Sequence, residues 1–351
     1  MLEKRLRMAR VMAGLSLQQL SDKTDNAITK QAISKYEKGI MQPSFENLQA
    51  ISRALNTRVD YFLRDSTLDL GEIKYRKQTK LPKKKQNEIT ERTRDFLERY
   101  LETELLLNLD QEVSVPNRNI KVNSEDDVEV VTSQLRSKWD LGSNPIYNIL
   151  ETIEQLGIKV IKLKERINHF YGMSTWVSKK VPVIVLSEMN KDRLRFTALH
   201  ELGHLVLDIE HLEDKLQEKI CDRFAASMLL PKSALLSELG GHRRNIHLRE
   251  LVLIKAEYGI SPQAILYRAK DLGLITEAYF ISQVKYLRFK GLWRKNIGKY
   301  EGEEKSNRLL QLLCRGVAEE FITSSKAASL YNMKLADFRK EISGTYASSN
   351  N

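Results

Sequence analysis

The segment from Leu194 to Ile209 constrains the fold more than any other, because it places a His-Glu-x-x-His pattern inside an apolar helix. It reads LRFTALHELGHLVLDI, so His200 and His204 stand four residues apart. Residues four apart on a helix share one face, and two imidazoles there can bind one Zn²⁺. Glu201 follows the first histidine and is placed to accept a proton from an attacking water. The apolar flanks argue against an ordinary helix with surface histidines.

A catalytic zinc site also needs a third protein ligand and an open coordination position. Glu218 and Asp222 lie downstream, one helical turn apart on one face. We predict that Glu218 is the third ligand and that Asp222 orients a ligand histidine through its other ring nitrogen. Taken alone, Glu218 would be an ordinary solvated residue. Gly203 is expected to let the two helices approach closely. The remaining histidines are expected to be structural or on the surface: His169, His211, His242 and His247.

These segments resemble the ImmA/IrrE metallopeptidases. The resemblance rests on RFTALHELGHLVL, on EKICDRFAASMLLP and on an upstream WDLG, and it covers roughly residues 125–275. It implies that the three predicted ligands bind zinc, that Glu201 is the base and that the substrate is a protein, such as a repressor or an antitoxin. Cys221 stands where the family usually has alanine, and we expect this departure to leave the chemistry untouched.

An apolar run, Val181–Leu186, predicts a strand that pairs in a hairpin with residues 170–177. Such a strand is expected to hold an extended peptide substrate by edge pairing. Peptide hydrolysis also needs a donor to the developing oxyanion. Tyr171 and His169 lie near this strand in sequence and are the candidates for that role.

Residues 1–65 read as short helices separated by polar turns, with Thr29 and Ser44 at two predicted N-caps. The third helix has an apolar inner face and a polar, basic outer face. The outer face consists of Thr29, Lys30, Gln31, Ser34 and Lys35. A polar, basic face of this kind is typical of a helix that reads DNA.

This region resembles the Xre, lambda-repressor-like helix-turn-helix family. LSLQQL, TKQAISKYEKG and PSFENL carry the resemblance, which implies binding to double-stranded DNA. We expect Gln31 to read a base edge, and Lys30 and Lys35 to meet guanine or phosphate. Gln18 and Gln19 are candidate phosphate contacts. The turn before the third helix is longer than the family usually has.

Composition limits the remaining classes. The chain of 351 residues has 57 Lys+Arg against 46 Asp+Glu, so a polyanion is a plausible partner. Its two cysteines, Cys221 and Cys314, exclude a disulfide-stapled scaffold and a zinc site built from a CxxC pair. No apolar run reaches the length of a membrane span, and the N-terminus lacks a signal-peptide pattern. We therefore expect a cytoplasmic chain without a membrane partner.

The predicted fold class is mainly α with a small β-sheet (α+β). An all-α helix-turn-helix bundle precedes a zincin-like HExxH metallopeptidase domain and a helical C-terminal region. The predicted segments are a helix-turn-helix domain at 1–65, a basic linker with an amphipathic helix at 66–123, the metallopeptidase domain at 124–275, and a basic, then helical region at 276–351. Within the last, Lys285–Lys299 carries six basic residues and no acid, and nucleic-acid binding, partner binding and surface packing all stay open.

Together these features predict a DNA-binding transcriptional regulator that carries a zinc-dependent endopeptidase. Two alternatives stay open. One is a non-catalytic regulator whose metal domain senses a ligand or binds a partner, and the other is a component of a toxin–antitoxin or phage-defence system. Glu201 favours the enzyme, because a purely structural zinc site needs no base. A homodimer is an expected form, since helix-turn-helix proteins commonly bind paired half-sites.

Overall fold

The computed structural model describes residues 1–64, 81–109 and 119–343. Most of the predicted basic linker therefore lies outside the described residues. The chain is mainly helical with small β-sheets, which confirms the predicted α+β class. Among the described residues, no helix combines the length and the apolar character that crossing a bilayer requires.

The chain divides into two compact units. The first comprises Met1–Asp110 and Leu309–Asn351, and the second comprises Gln111–Arg308. The predicted C-terminal region at 276–351 is thus shared between the two units. The amphipathic helix that we assigned to the linker lies in the same unit as the predicted helix-turn-helix domain.

Five short helices open the first unit, and side-chain caps set where three of them begin. Ser16, Thr29 and Ser44 each accept a hydrogen bond from a backbone N–H three residues on, so the two caps predicted from sequence are confirmed. The helices are α1 (Leu2–Met12), α2 (Leu17–Lys23), α3 (Lys30–Glu37), α4 (Phe45–Ala54) and α5 (Val59–Leu63). Their apolar faces form one core.

The long turn between α2 and α3 is stabilised by side-chain hydrogen bonds. Asp25 and Asn26 adopt left-handed backbone conformations, with φ of 53° and 58°, which these residue types tolerate better than most. The Ser21 hydroxyl donates to the Ile28 carbonyl at 2.7 Å, and the Thr24 hydroxyl donates to the Ser21 carbonyl at 2.7 Å. The extra length is therefore an ordered part of the motif.

A long helix, α6 (Lys83–Leu106), packs on α1. The buried Arg5 guanidinium donates to the buried Glu98 carboxylate at 2.6 Å. Arg92 donates to the backbone carbonyl of Met12 at 3.0 Å. These contacts explain why the helix belongs to this unit.

The second unit contains eight described helices and two small sheets. Its elements are β1 (Ile120–Lys121), α7 (Asp127–Lys138), α8 (Ile149–Gln155), β2 (Lys159–Lys162), β3 (Gly172–Val177), β4 (Val181–Leu186), α9 (Lys191–Val206), β5 (Leu207–Asp208), α10 (Asp214–Leu229), α11 (Lys232–Leu239), α12 (Leu248–Tyr258), α13 (Pro262–Asp271) and α14 (Glu277–Phe289). One large apolar core unites them, with α9 and α10 in extensive contact.

The larger sheet has the strand order β2-β4-β3. The predicted hairpin is confirmed, because β3 pairs antiparallel with β4. However, β4 is the central strand and also pairs in parallel with β2. Both its backbone edges are occupied, so the expectation that Val181–Leu186 holds a substrate by edge pairing is wrong. Within the described residues, β3 is the edge strand that contacts α9.

Two local features of this unit have no clear sequence signal. Helix α8 begins at Ile149, because the Asn148 side chain caps it by accepting from the Glu151 N–H. Ile120 and Lys121, at the end of the segment 66–123 that we predicted as linker and helix, pair in parallel with β5. Such a two-residue strand has no recognisable period in sequence.

The chain returns to the first unit with α15 (Arg308–Ala318), α16 (Ser324–Leu330) and α17 (Leu335–Ser343). These helices share an apolar core with Tyr100 and Leu107, at the C-terminal end of α6. Arg99 of α6 also donates to the Leu330 carbonyl at 2.8 Å.

Candidate metal centre and nucleic-acid interface

The metal candidates lie where α9 packs against α10, and Gly203 permits that close approach. A Cβ atom at this position would lie 3.2 Å from the Phe224 ring and 3.3 Å from the Cys221 sulfur. Contacts this short leave little room for a side chain, so the predicted role of Gly203 is confirmed. The approach brings the second helical turn of α10 opposite the histidines of α9.

Three predicted ligands converge at this junction. Nε2 of His200 lies 3.3 Å from one carboxylate oxygen of Glu218, and Nε2 of His204 lies 3.3 Å from the other. The two Nε2 atoms are 3.1 Å apart. One ligand atom from each residue falls within 4.8 Å of the others. Two imidazoles and a carboxylate are a donor set found in catalytic zinc sites, so the residues present fit that ion.

Each histidine has a partner at its second ring nitrogen. Nδ1 of His200 lies 2.8 Å from Oδ1 of Asp222, as the spacing predicts. Nδ1 of His204 lies 3.1 Å from the sulfur of Cys221, which is fully buried. The sequence did not predict this contact between Cys221 and a candidate ligand. The family pattern gave no indication of this contact. The available signal was the position of Cys221, three residues after Glu218 on the same helical face.

The local charges favour an ionised carboxylate between the rings. Burial by itself lowers the pKa of His200, but hydrogen bonds to Asp222 and Glu218 outweigh it and raise that pKa to about 10. Hydrogen bonds from His200 and then from His204 hold the pKa of Glu218 well below its usual range. An anionic Glu218 is the form that binds a cation.

Glu201 lies beside this cluster on the same helix and is almost completely buried. The hydroxyl of Ser174, on the edge strand β3, donates to its Oε2 at 2.7 Å. Gly172 lets the strand approach, because a Cβ there would lie 2.8 Å from Thr197 and 3.2 Å from the Cγ of Glu201. We did not predict Ser174 from the sequence. The sequence signal for this contact was a polar side chain on the face of β3 that contacts α9.

The two oxyanion candidates lie at the surface. Tyr171 is 46% exposed, and the Arg193 guanidinium lies 3.8 Å from the centre of its ring. His169 is exposed in a turn with φ of 62°. Neither side chain is hydrogen-bonded to the site within the described part of the chain, so their role stays a prediction. His211 also lies at the surface, 3.9 Å from Asp208.

In the first unit, α3 presents the predicted DNA-reading face. Lys30, Gln31 and Lys35 are exposed, and Ser34 is half-buried. Arg10 of α1 positions this helix through two hydrogen bonds to the Glu37 carboxylate, at 2.6 and 2.7 Å. The helix is therefore fixed to the bundle by its inner side while its cations face outward.

Three other predicted DNA contacts have local structural roles. The Thr29 side chain caps α3. The Gln19 side chain accepts from the Ser16 N–H at 2.9 Å and completes a capping box on α2. The Gln18 amide donates to Asp22 at 2.8 Å. Because all three also lie at the surface, these roles do not exclude phosphate contacts, which stay a prediction.

Two family models match parts of the chain. Residues 6–62 match the helix-turn-helix family model, and residues 153–270 match the model of the IrrE N-terminal-like domain. The chain thus carries one segment similar to each family. The metal candidates and Glu201 all lie within residues 153–270.

Two curated relatives match a part of the chain. Uncharacterized HTH-type transcriptional regulators of Sinorhizobium medicae (strain WSM419) and Rhizobium meliloti (strain 1021) are each 40% identical to it over 67 residues. Each match covers 19% of this chain and 47% of the relative. The chain thus spans about half the length of the curated relatives it matches.

Proposed function

We propose that the IrrE N-terminal-like domain is a zinc-dependent endopeptidase that cleaves a protein. The observation that carries this proposal is the convergence of His200, His204 and Glu218 on one point beside Glu201. Three protein donors with an adjacent carboxylate are the arrangement of a hydrolytic rather than a structural site, which uses four protein ligands. A zinc ion held by these donors supplies a Lewis acid.

Glu201 is the general base in this proposal. Its carboxylate takes a proton from the attacking water and delivers it to the leaving nitrogen. Ser174 orients that carboxylate through the hydrogen bond to Oε2. Asp222 and Cys221 orient the two imidazoles from their outer sides.

The edge strand β3 replaces β4 as the candidate platform for an extended substrate. The Ser187 N–H donates to the Tyr171 carbonyl at 2.9 Å, so in this antiparallel register alternate residues bond to β4. The backbone groups of Ser174 and Trp176 then point to the open side of the sheet. A peptide paired there would lie beside Glu201.

We further propose that the helix-turn-helix domain binds double-stranded DNA through the outer face of α3, in a transcriptional regulator that works in the cytoplasm. A repressor or an antitoxin is the substrate class most consistent with a peptidase attached to a DNA-binding domain. Dimerisation on paired DNA half-sites is consistent with this proposed DNA binding. If the chain binds the metal but cleaves no protein, the alternative function, a non-catalytic regulator, is supported instead.

The zinc content of the purified full-length chain tests the metal site. We expect about one zinc per wild-type chain and a sharp loss in both His204→Ala and Glu218→Ala. His211→Ala is the matched control, since it removes a surface histidine of the same unit. Full zinc content in the two ligand variants, or loss in the control, would contradict the assignment.

Cleavage is tested separately in cells that express the wild type or Glu201→Gln. Mass spectrometry of protein N-termini should reveal new ends that appear only with the wild type. Glu201→Gln keeps the size of the side chain but cannot accept the proton. Identical sets of ends in both strains, with zinc bound in both proteins, would select the non-catalytic regulator.

A further inference from the structure

The second unit carries a basic surface that the proposed peptidase chemistry does not use. No Asp or Glu occurs in sequence between Glu277 and Glu301. The last turns of α14 and the loop that follows expose five cations and an aromatic ring. This basic patch consists of Lys285, Arg288, Phe289, Lys290, Arg294 and Lys295.

The backbone beneath the basic patch is held in place from below. Phe280 and Leu287, on the opposite face of α14, are buried in the core of the unit. The loop after the helix is tied down by Gln263, whose amide donates to the Trp293 carbonyl at 2.9 Å. The Lys255 ammonium donates to Asn296 in the same loop. The cations are therefore displayed on an ordered scaffold.

Phe289 is the most exposed of the large apolar side chains in the described residues, at 86%. The Lys290 ammonium lies 6.0 Å from the centre of its ring. Tyr286, one helical position away from Lys285, is 51% exposed. An exposed apolar ring beside a cation matches a ligand that combines stacking surfaces with negative charges.

The charge of the basic patch is not neutralised within the described part of the chain. None of its five cations forms an ion pair there, whereas nearby Lys299 and Lys305 pair with Glu301 and Glu303. Phosphate groups of a bound polyanion would neutralise these cations.

We propose that the basic patch binds single-stranded nucleic acid, with phosphates on its cations and an unpaired base stacked on Phe289. A membrane surface is less suitable, because the apolar face of α14 is already buried in the unit. The faces of a base within a duplex are covered by its stacked neighbours, so a duplex must first unstack, whereas a single strand offers its bases directly and is the favoured form. This site is separate from the duplex-reading face of α3.

Fluorescence anisotropy of a labelled oligodeoxythymidylate of about 20 nucleotides, titrated with the full-length chain at several salt concentrations, tests the proposal. Phe289→Ala should weaken binding about tenfold and leave the salt dependence unchanged, because it removes stacking alone. Lys290→Gln should reduce the slope of log K against log salt by about 0.7. Phe321→Ala, which removes another exposed phenylalanine in the other unit, should bind like the wild type.

Two further measurements separate the alternatives. The double variant Gln31→Ala/Lys35→Ala, on the outer face of α3, should keep its affinity for the oligonucleotide. If that variant loses binding while Phe289→Ala retains it, the helix-turn-helix domain accounts for the binding and the proposal is overturned. Binding to vesicles of phosphatidylcholine and phosphatidylserine that depends on Phe289, without oligonucleotide binding, would overturn it in favour of a membrane.

Discussion

At the residue scale, the two histidines of the proposed metal site differ in their outer partners, and this difference is testable. His204 has the buried sulfur of Cys221 at its Nδ1. Removing that partner with Cys221→Ala frees the ring to rotate, so we expect zinc affinity to fall by about 10- to 100-fold. Competition against a fluorescent zinc chelator measures the change.

Cys314→Ala is the control for this experiment, because it removes the other cysteine from the other unit. Cys221→Ser keeps a group that can hydrogen-bond to the ring, and it should restore most of the affinity. Equal zinc affinity in Cys221→Ala and the wild type would show that the sulfur does not position His204.

A second prediction at this scale concerns Ser174, whose hydroxyl donates to Glu201. Ser174→Ala should leave the zinc content unchanged and lower the turnover of a cleaved substrate about tenfold, because the proposed general base Glu201 loses its orientation. Ser174→Thr keeps a hydroxyl and should recover part of the rate. A loss of zinc in Ser174→Ala would instead indicate a disturbed fold.

The sequence reveals some of these residues and conceals others for a physical reason. His200, His204 and Glu201 are visible because helical spacing is a local property. To predict Glu218 and Asp222, it was sufficient to recognise a second helix that carries both residues on one face. The contacts of Cys221 and Ser174 depend on how α10 and β3 approach α9, and such tertiary packing has no period in sequence.

At the element scale, the hairpin of β3 and β4 could be predicted, but the position of each strand in the sheet could not. Alternation and the apolar run are sufficient to define two strands. The parallel pairing of β2 with β4 joins segments separated by about 20 residues, and nothing local specifies it. Because β2 pairs with the second edge of β4, the unpaired edge on this side of the sheet belongs to β3.

A pH effect is expected where α8 meets the segment before α15. Burial raises the pKa of Glu154 from 4.5 to about 7, against opposing hydrogen bonds from Ser306 and the Arg308 backbone and the charge of Lys159. The folded state therefore retains a proton that the unfolded chain releases. The free energy of unfolding should fall as pH rises from about 4.5 to about 7, by at most about 3 kcal/mol.

Urea unfolding at pH 4.5, 6 and 7.5 with Glu154→Gln checks this sign, because the variant cannot ionise and should lose that part of the pH dependence. Glu151→Gln, on the same helix but less buried, should behave like the wild type. The same pH dependence in Glu154→Gln and the wild type would show that Glu154 does not cause it.

At the scale of the whole molecule, the predicted C-terminal region at 276–351 does not form one region. Residues that we grouped at 276–351 are shared between the units, because α15 to α17 pack with α6 whereas α14 packs with the second unit. The composition of the sequence identified the basic segment Lys285–Lys299, but it did not predict that the region is divided between the two units. Long-range packing decides it, and the amphipathic pattern of α15 does not say which apolar surface it meets.

The segment between α14 and α15 stabilises the second unit through a buried ion pair. The Arg195 side chain, on α9, donates to the Glu304 carboxylate, and both are almost fully buried. Arg195 also donates to the Ile146 carbonyl at 2.6 Å and to the Tyr300 hydroxyl at 3.0 Å. Residues well beyond the family match at 153–270 therefore complete this unit.

Breaking that pair should destabilise the unit strongly, because it leaves a buried charge without its partner. We expect Arg195→Met to lower the free energy of unfolding by about 3–5 kcal/mol and Glu304→Leu to do so by a similar amount. In the double variant Arg195→Met/Glu304→Leu neither charge remains, so its loss should be smaller than the sum of the two. Urea unfolding of the full-length proteins, followed by circular dichroism, measures this coupling. Strictly additive losses would mean that the two side chains stabilise the unit independently and that the segment around Glu304 is attached to it by other contacts.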